Sequence, residues 1–206
     1  MRGDLSRYSG FLTRSVGEVT RDLESYASLI RKWNAAQNLV SRETTDLWDR
    51  HLIDGVQLVR YIQTHERILC DIGSGGGIPA IPLATALKGS NRRHYLVEPI
   101  AKKAAFLRQV RRELGLDGVE VLTSRIEDTL LQADLVTARA VTALTPLLGL
   151  VAQVMAPTGR ALLHKGREHV DEIAAARAKW AFDVIVHPSD IDGDGVILEV
   201  SSIRPL

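Results

Sequence analysis

From Val16 to Trp33 the apolar positions fall at three- and four-residue steps: Val16, Val19, Leu23, Tyr26, Leu29, Ile30 and Trp33. That spacing predicts an amphipathic helix. Ser15 and Glu18 stand where a capping box would start it. Leu47, Trp48, Leu52, Val56 and Val59 repeat the stripe and predict a second helix over about 45–62, joined to the first by the polar stretch "NAAQNLVSRETTD". Trp33 and Trp48 sit at helical spacing and read as core of this helical cap.

Near residue 68 the pattern changes to short apolar runs alternating with helical stretches. "RILCDIG", "HYLVEP", "VEVLTS", "ADLVTARA" and "GRALLHKG" read as strands. "IPAIPLATAL", "AKKAAFLRQVRRELGL", "ALTPLLGLVAQVM" and "EHVDEIAAARAKW" read as the helices between and after them. Such alternation predicts an α/β fold with a doubly wound, mainly parallel sheet. "FDVIVHPS" and "GVILEVSSI" flank the short turn "DIDGDG", so the last strand is expected to run antiparallel. The expected organisation is an N-terminal helical cap over residues 1–65 and an α/β domain over 66–206, together one compact unit.

Composition adds limits. The chain has 206 residues, 45% of them apolar and 25% charged, with a net charge of +1. This is the profile of an ordinary globular domain, not of a polycation. No apolar run approaches the roughly 18–20 residues of a membrane span. The first 16 residues lack a signal-peptide core, so a cytoplasmic protein is expected. Cys70 is the single cysteine and lies inside an apolar run, where a core role is expected. No Cys/His group has zinc spacing, and no metal site is expected. "DIDGDG" begins like a calcium loop, but Ser201 stands where the twelfth-position glutamate belongs, so it reads as a tight turn. Charge is segregated: residues 88–125 hold nine Lys/Arg against four Asp/Glu, and residues 169–206 hold seven Asp/Glu against three Lys/Arg. The first of these is either a solvated helix face or a surface for a polyanion.

The chemistry concentrates in "ILCDIGSGGGIPAIPL", where a strand runs into Gly73, Gly75, Gly76 and Gly77. Glycines there let backbone approach a ligand closely or turn where a Cβ would clash. Strand, glycine loop, helix, strand and acid is the order that binds a nucleoside-containing ligand across the carboxyl ends of the strands. Glu98, ending the second strand, is placed to accept from ribose hydroxyls. Gly75-x-Gly77-x-x-Ala80 satisfies the loose dinucleotide fingerprint, a weak signal alone. The tyrosine–lysine pair of hydride-transfer chemistry is missing, as is a Walker A sequence. The other candidate is S-adenosyl-L-methionine, whose ammonium end needs a carboxylate such as Asp71. "DIGSGGG" resembles the first motif of class I methyltransferases, whose fold is Rossmann-like.

"WNAAQNLVS", "RHLIDG", "DIGSGGGIPAIPLA", "VEPIAKKAAFL", "SRIED", "DLVTARAV" and "LLHKG" occur in this order over about residues 30–167. Together they resemble the RsmG (GidB) family of small-subunit rRNA methyltransferases. The resemblance implies transfer of a methyl group from S-adenosylmethionine to N7 of a guanine in 16S rRNA. It implies cofactor contacts at Gly73, Ile78, Glu98, Ile126 and Glu127, beside Asp71 and Gly75 of the loop. Arg139 matches the family's active-site arginine, and Lys165 a basic residue at the end of the fifth strand. Asn38, Arg50, His51 and Asp54 match the cap motif beside the pocket. Ala138, Gly55 and His164 stand where the family usually has serine, serine and leucine.

The chemistry agrees with that implication. Guanine N7 carries a lone pair and no proton, so its methylation needs alignment and no general base. The Asp/Asn-Pro-Pro-aromatic motif of amine methylation is absent, and Cys70 is misplaced for a cysteine nucleophile. Arg139 is expected to position phosphate or cofactor, or else to form an ion pair with Glu127 or Asp134. Arg50, Lys102, Lys103 and Lys165 are the candidate RNA contacts. His51 reads as a packed residue rather than a catalyst. The expected partner is 16S rRNA or the small ribosomal subunit, with no DNA or membrane partner, and the expected state is monomeric. Two other readings stand beside this one: an NAD(P)-dependent oxidoreductase, and a non-catalytic RNA-binding module with a relic nucleoside pocket.

Overall fold

A computed structural model of the chain describes residues 4–37, 39 and 46–206. Helix α1 runs Val16–Gln37. Its capping box is formed: the Ser15 N–H donates to Glu18 Oε2 (3.1 Å) and the Glu18 N–H to Ser15 Oγ (3.3 Å). Val19, Leu23, Tyr26 and Ile30 form its buried face. Asn38 and residues 40–45 of the polar connection lie outside the described residues.

The second predicted helix is not one regular helix. A π-helical turn, Trp48–Ile53, passes through a single α-helical turn, α2 (Asp54–Val56), into a 3-10 segment, Gln57–Tyr61. The geometry tightens where the Asp54 carbonyl accepts from outside the helical ladder, from Gln57 Nε2 (3.1 Å) and in contact with His164 Nε2 (3.0 Å). Irregular turns of this kind concentrate at functional sites.

The alternation that follows is as expected. Strands β1 (Ile68–Ile72), β2 (Arg93–Val97), β3 (Val119–Leu122), β4 (Ala133–Arg139) and β5 (Met155–Lys165) alternate with helices α3 (Ala80–Ala86), α4 (Ala101–Glu113) and α5 (Leu144–Val154). Helix α6 (His169–Ala176) and strands β6 (Trp180–Pro188) and β7 (Val196–Pro205) complete the chain. The sheet order is β3-β2-β1-β4-β5-β7-β6. Strand β7 runs antiparallel to both of its neighbours, and the other pairings are parallel. Strand β5 starts before Gly159, the start read from the sequence.

Period-two alternation divides the core between the two faces. Leu69 and Leu96 join Leu23, Tyr26, Ile30 and Leu107 on the face covered by α1, α3 and α4. Cys70, Ile72 and Val97 join Leu147, Leu148 and Val151 on the face covered by α5. Burial pushes the Cys70 thiol up to about 12, which keeps it inert, in line with a core role.

Two polar clusters tie the ends of the chain together. Arg160 on β5 pairs with Glu66 (2.8 Å) and with Glu199 of β7 (2.9 Å). Asp190, in the β6–β7 turn, accepts from Tyr8 Oη (2.8 Å) and pairs with Arg60 (2.7 Å). That turn is a structural tether, and among the described residues no His/Cys/Asp/Glu group could hold a metal ion.

Candidate active site

The glycine loop leaves β1 and turns under α1. Gly73, Gly75 and Gly77 have φ of +63°, +54° and +92°, values that an L side chain rarely adopts. At Gly77 the reason is internal packing rather than room for a ligand. A Cβ there would meet Ile81 Cγ1 at 2.6 Å, Leu107 Cδ2 at 2.9 Å and Tyr26 Oη at 2.9 Å. Tyr26 reaches from α1 to donate to the Gly76 carbonyl and is fully buried. The loop is also held from β2: the Ser74 N–H donates to the Val97 carbonyl (3.1 Å) and the Gly75 N–H to Glu98 Oε2 (2.7 Å).

Glu98 therefore fastens the loop, with its other oxygen accepting from the Ile100 N–H (2.8 Å). Each carboxylate oxygen keeps a second lone pair. Asp71 lies one register step below the loop, opposite Thr137 of β4. Its Oδ1 accepts from Thr137 Oγ1 (2.6 Å), while Oδ2 is buried with no partner. Burial pushes the Asp71 carboxyl up to about 6, against the hydrogen bonds from Thr137 and Ser74.

Above the loop lies a groove of about 290 Å³, bordered by Gly73, Gly75, Ile78, His51, Lys103 and Arg139. Burial, and then the nearby Arg139 charge, pulls His51 down to about 4, so it is a neutral, packed imidazole at neutral pH. Ile126 and Glu127 form a 3-10 turn after β3 and do not line this groove. Ile126 packs into the core beneath α5, and Glu127 is exposed. The structure also separates Lys102 from Lys103: Lys103 borders the groove, and Lys102 points outward.

A second cavity, of about 340 Å³, opens at the carboxyl ends of β4 and β5, and Arg139 and Ala140 line both. Ala140 takes a left-handed φ of +54°, which turns the chain sharply after Arg139. Arg139 itself pairs with Asp54 (3.0 Å) and donates to the Arg50 carbonyl (3.0 Å). The alternative read from sequence, an ion pair with Glu127 or Asp134, does not form. Asp134 instead accepts from the N–H groups of Arg67 and Ile68 at the start of β1 (2.7 and 2.9 Å).

His164 lies beside this pair, with Nε2 3.6 Å from Asp54 Oδ1 and its Nδ1 buried without a partner. Burial lowers its pKa, more than the Asp54 charge raises it. Lys165 has two partners in the protein, Glu172 of α6 (2.6 Å) and the Thr142 carbonyl (2.8 Å). It therefore fixes the loop after β4, with one of its three donors left for the cavity. Arg50 is exposed at the rim. Sequence reasoning missed Tyr26, Thr137, Thr142 and Glu172. Thr137 lies in "DLVTARAV" without a role read for it, the other three lie in no motif, and the register of β1 with β4 and the packing of α1 and α6 bring them to the site.

Solved structures similar to this chain in fold include several methyltransferases. An O-methyltransferase from Bacillus cereus superposes with a TM-score of 0.59 at 16% identity, covering 96% of each chain. An S-adenosylmethionine-dependent methyltransferase from Aquifex aeolicus gives 0.55 at 16% identity, covering 71% of this chain and 89% of that one. Identities this low establish the fold, and it is the class I, Rossmann-like methyltransferase fold.

The sequence goes further. Residues 19–190 match the GidB family, described as rRNA small subunit methyltransferase G. Proteins named ribosomal RNA small subunit methyltransferase G from Bartonella tribocorum and Cereibacter sphaeroides are 43% and 42% identical to it. The alignments cover 91% and 90% of this chain, and 89% and 92% of those proteins. The chain belongs to this family. Among the described residues, no helix is long and apolar enough to cross a membrane.

Proposed function

We propose that the chain transfers the methyl group of S-adenosylmethionine to N7 of a guanine in 16S rRNA, acting on rRNA or the small subunit as a cytoplasmic monomer. The observation that carries this is the junction at Arg139 and Ala140, where the glycine-loop groove and a second cavity share their lining. The glycine loop fits the cofactor, since Gly73, Gly75 and Ile78 border the groove and offer a close backbone approach. Behind the loop and outside the groove lining, Glu98 keeps lone pairs for ribose hydroxyls, and the Asp71 oxygen that has no protein partner is the candidate for the cofactor's ammonium group. Ile126 and Glu127, also outside the lining, are the candidates beside the adenine that the family resemblance implies. The bound cofactor supplies an electrophilic methyl group on sulfur.

The chain's own task is alignment. N7 has no proton to remove, and burial makes the two histidines here weak bases: it lowers His51 to about 4 and shifts His164 in the same direction. Arg139, fixed by Asp54 and the Arg50 carbonyl, presents a charge at the junction. It positions phosphate or cofactor there, since a donor on N7 would block the nucleophile. Lys165 holds the Thr142 loop and offers its remaining donor to the substrate. Arg50, Lys102 and Lys103 contact RNA.

The test uses labelled S-adenosylmethionine and small-subunit particles from cells that lack their own enzyme of this family. Cleavage at N7-methylguanine should report one labelled guanine, lost with Arg139→Ala. Cofactor binding without label on any guanine N7 would sink the substrate assignment.

A further inference from the structure

The basic stretch at 88–125 is only partly accounted for by the site. Its densest part is α4, which carries Lys102, Lys103, Arg108, Arg111 and Arg112 against one acid, Glu113. Six cations elsewhere in the molecule are neutralised, Arg14, Arg60, Lys88, Arg139, Arg160 and Lys165 each pairing with a carboxylate, while others such as Arg93, Arg125 and Lys179 stand singly among the described residues. Among the described residues none of the five α4 cations has such a pair.

A solvated helix end would explain only part of this. Arg111 and Arg112 lie in the last turn, where positive charge complements the helix dipole. Lys102 and Lys103 lie in the first turn, where the same dipole repels them, and the carboxylate at that end, Glu98, is engaged by the Ile100 and Gly75 N–H groups rather than by either lysine. An external anion is a fitting counterpart for them. Arg108 is not loose either. Its Nη2 donates to the Val121 carbonyl (3.2 Å) and to Thr123 Oγ1 (2.6 Å), laying the guanidinium along edge strand β3. Lys103 borders the glycine-loop groove, so the charge begins at the site where methyl transfer is proposed and continues to Arg112, about 14 Å along the helix.

We infer that the outer face of α4 is a track for the rRNA phosphate backbone, which docks the substrate along the sheet edge while the target base reaches the Arg139 junction. The inference rests on the proposed rRNA substrate and adds where that substrate lies. Phosphate contacts of this kind position the nucleic acid without reading its sequence.

Arg111 and Arg112 are exposed and far from the junction, so Arg111→Gln with Arg112→Gln leaves the fold intact, which a melting curve verifies. KM for small-subunit particles should rise about five- to tenfold at physiological salt, with kcat and affinity for S-adenosylhomocysteine unchanged. The log–log dependence of KM on salt should become shallower by about 1.4, two single-strand phosphate contacts at roughly 0.7 each. Arg111→Lys with Arg112→Lys should restore both. An unchanged KM and salt slope in the Gln variant would reduce α4 to a solvated face. A wild type whose KM is indifferent to salt would overturn the track and the substrate reading together, and is distinguished by appearing without any mutation.

Discussion

The two cavities that meet at Arg139 are built in different ways. The glycine-loop groove is mostly backbone, supplied by a contiguous run from Gly73 to Ile78 and braced from behind by Tyr26 and Glu98. The neighbouring cavity is mostly side chains. Asp54, Arg139, His164, Lys165 and Glu172 reach it from four separate elements and are held in ion pairs and hydrogen bonds. A backbone site fails when its chain path fails. A side-chain site can lose one member and keep its shape.

That contrast can be broken from either side. The largest effect is expected from Gly77→Ala. A left-handed φ and a Cβ inside 3.0 Å of three packed groups should cost about 3–5 kcal/mol and abolish S-adenosylhomocysteine binding, read by melting and calorimetry. Arg139→Ala should lower methyl transfer roughly a hundredfold, while S-adenosylhomocysteine binding holds within a few fold. Loss of both in parallel would mean that the two cavities are one unit. Tyr26→Phe leaves the Gly76 carbonyl without its buried donor and should cost about 1–2 kcal/mol, with cofactor affinity falling more than kcat. An unchanged affinity would show that the loop needs no brace from α1.

Acid should act on the fold as well as on the cofactor site. Burial holds His94 of β2 down to about 4. Between pH 6.5 and 4 the unfolded chain therefore binds a proton at His94 that the native chain does not. Stability falls as pH falls through this window, by up to roughly 3 kcal/mol from this residue. Asp71, raised to about 6, works the other way: the native chain holds its proton from about pH 6 down to 3.8, which favours the fold in acid. His94→Leu should therefore flatten the acid loss of melting temperature. An identical pH profile in the variant would remove His94 as its source.

Much of the fold was legible because local patterns carry it. Alternating runs mark the strands, three- and four-residue steps mark α1 and α4, and Ser15 with Glu18 marks a helix start. The second helix was misjudged because its apolar stripe records which residues are buried. It says nothing of an Asp54 carbonyl drawn away by His164, 110 residues further along the chain. The alternative of an ion pair at Arg139 named the wrong partners for the same reason. Near neighbours in sequence, Glu127 and Asp134, were weighed, and the carboxylate that pairs with it comes from the cap.

Sequence by itself determined the parts whose physics is local or nearly so: the strand–helix order, the glycine run that only a left-handed turn requires, the antiparallel return of β7, and a set of motifs specific enough to name the family. Tertiary structure decided which charges are neutralised and which remain. Lys165 and Arg139 look alike in sequence to Arg111 and Arg112, yet the first two are bound to carboxylates and the last two face solvent. Coulombic pairing acts over a few ångströms in space and is blind to separation along the chain. Only the folded packing of cap, sheet and helices could sort fixed charges from free ones.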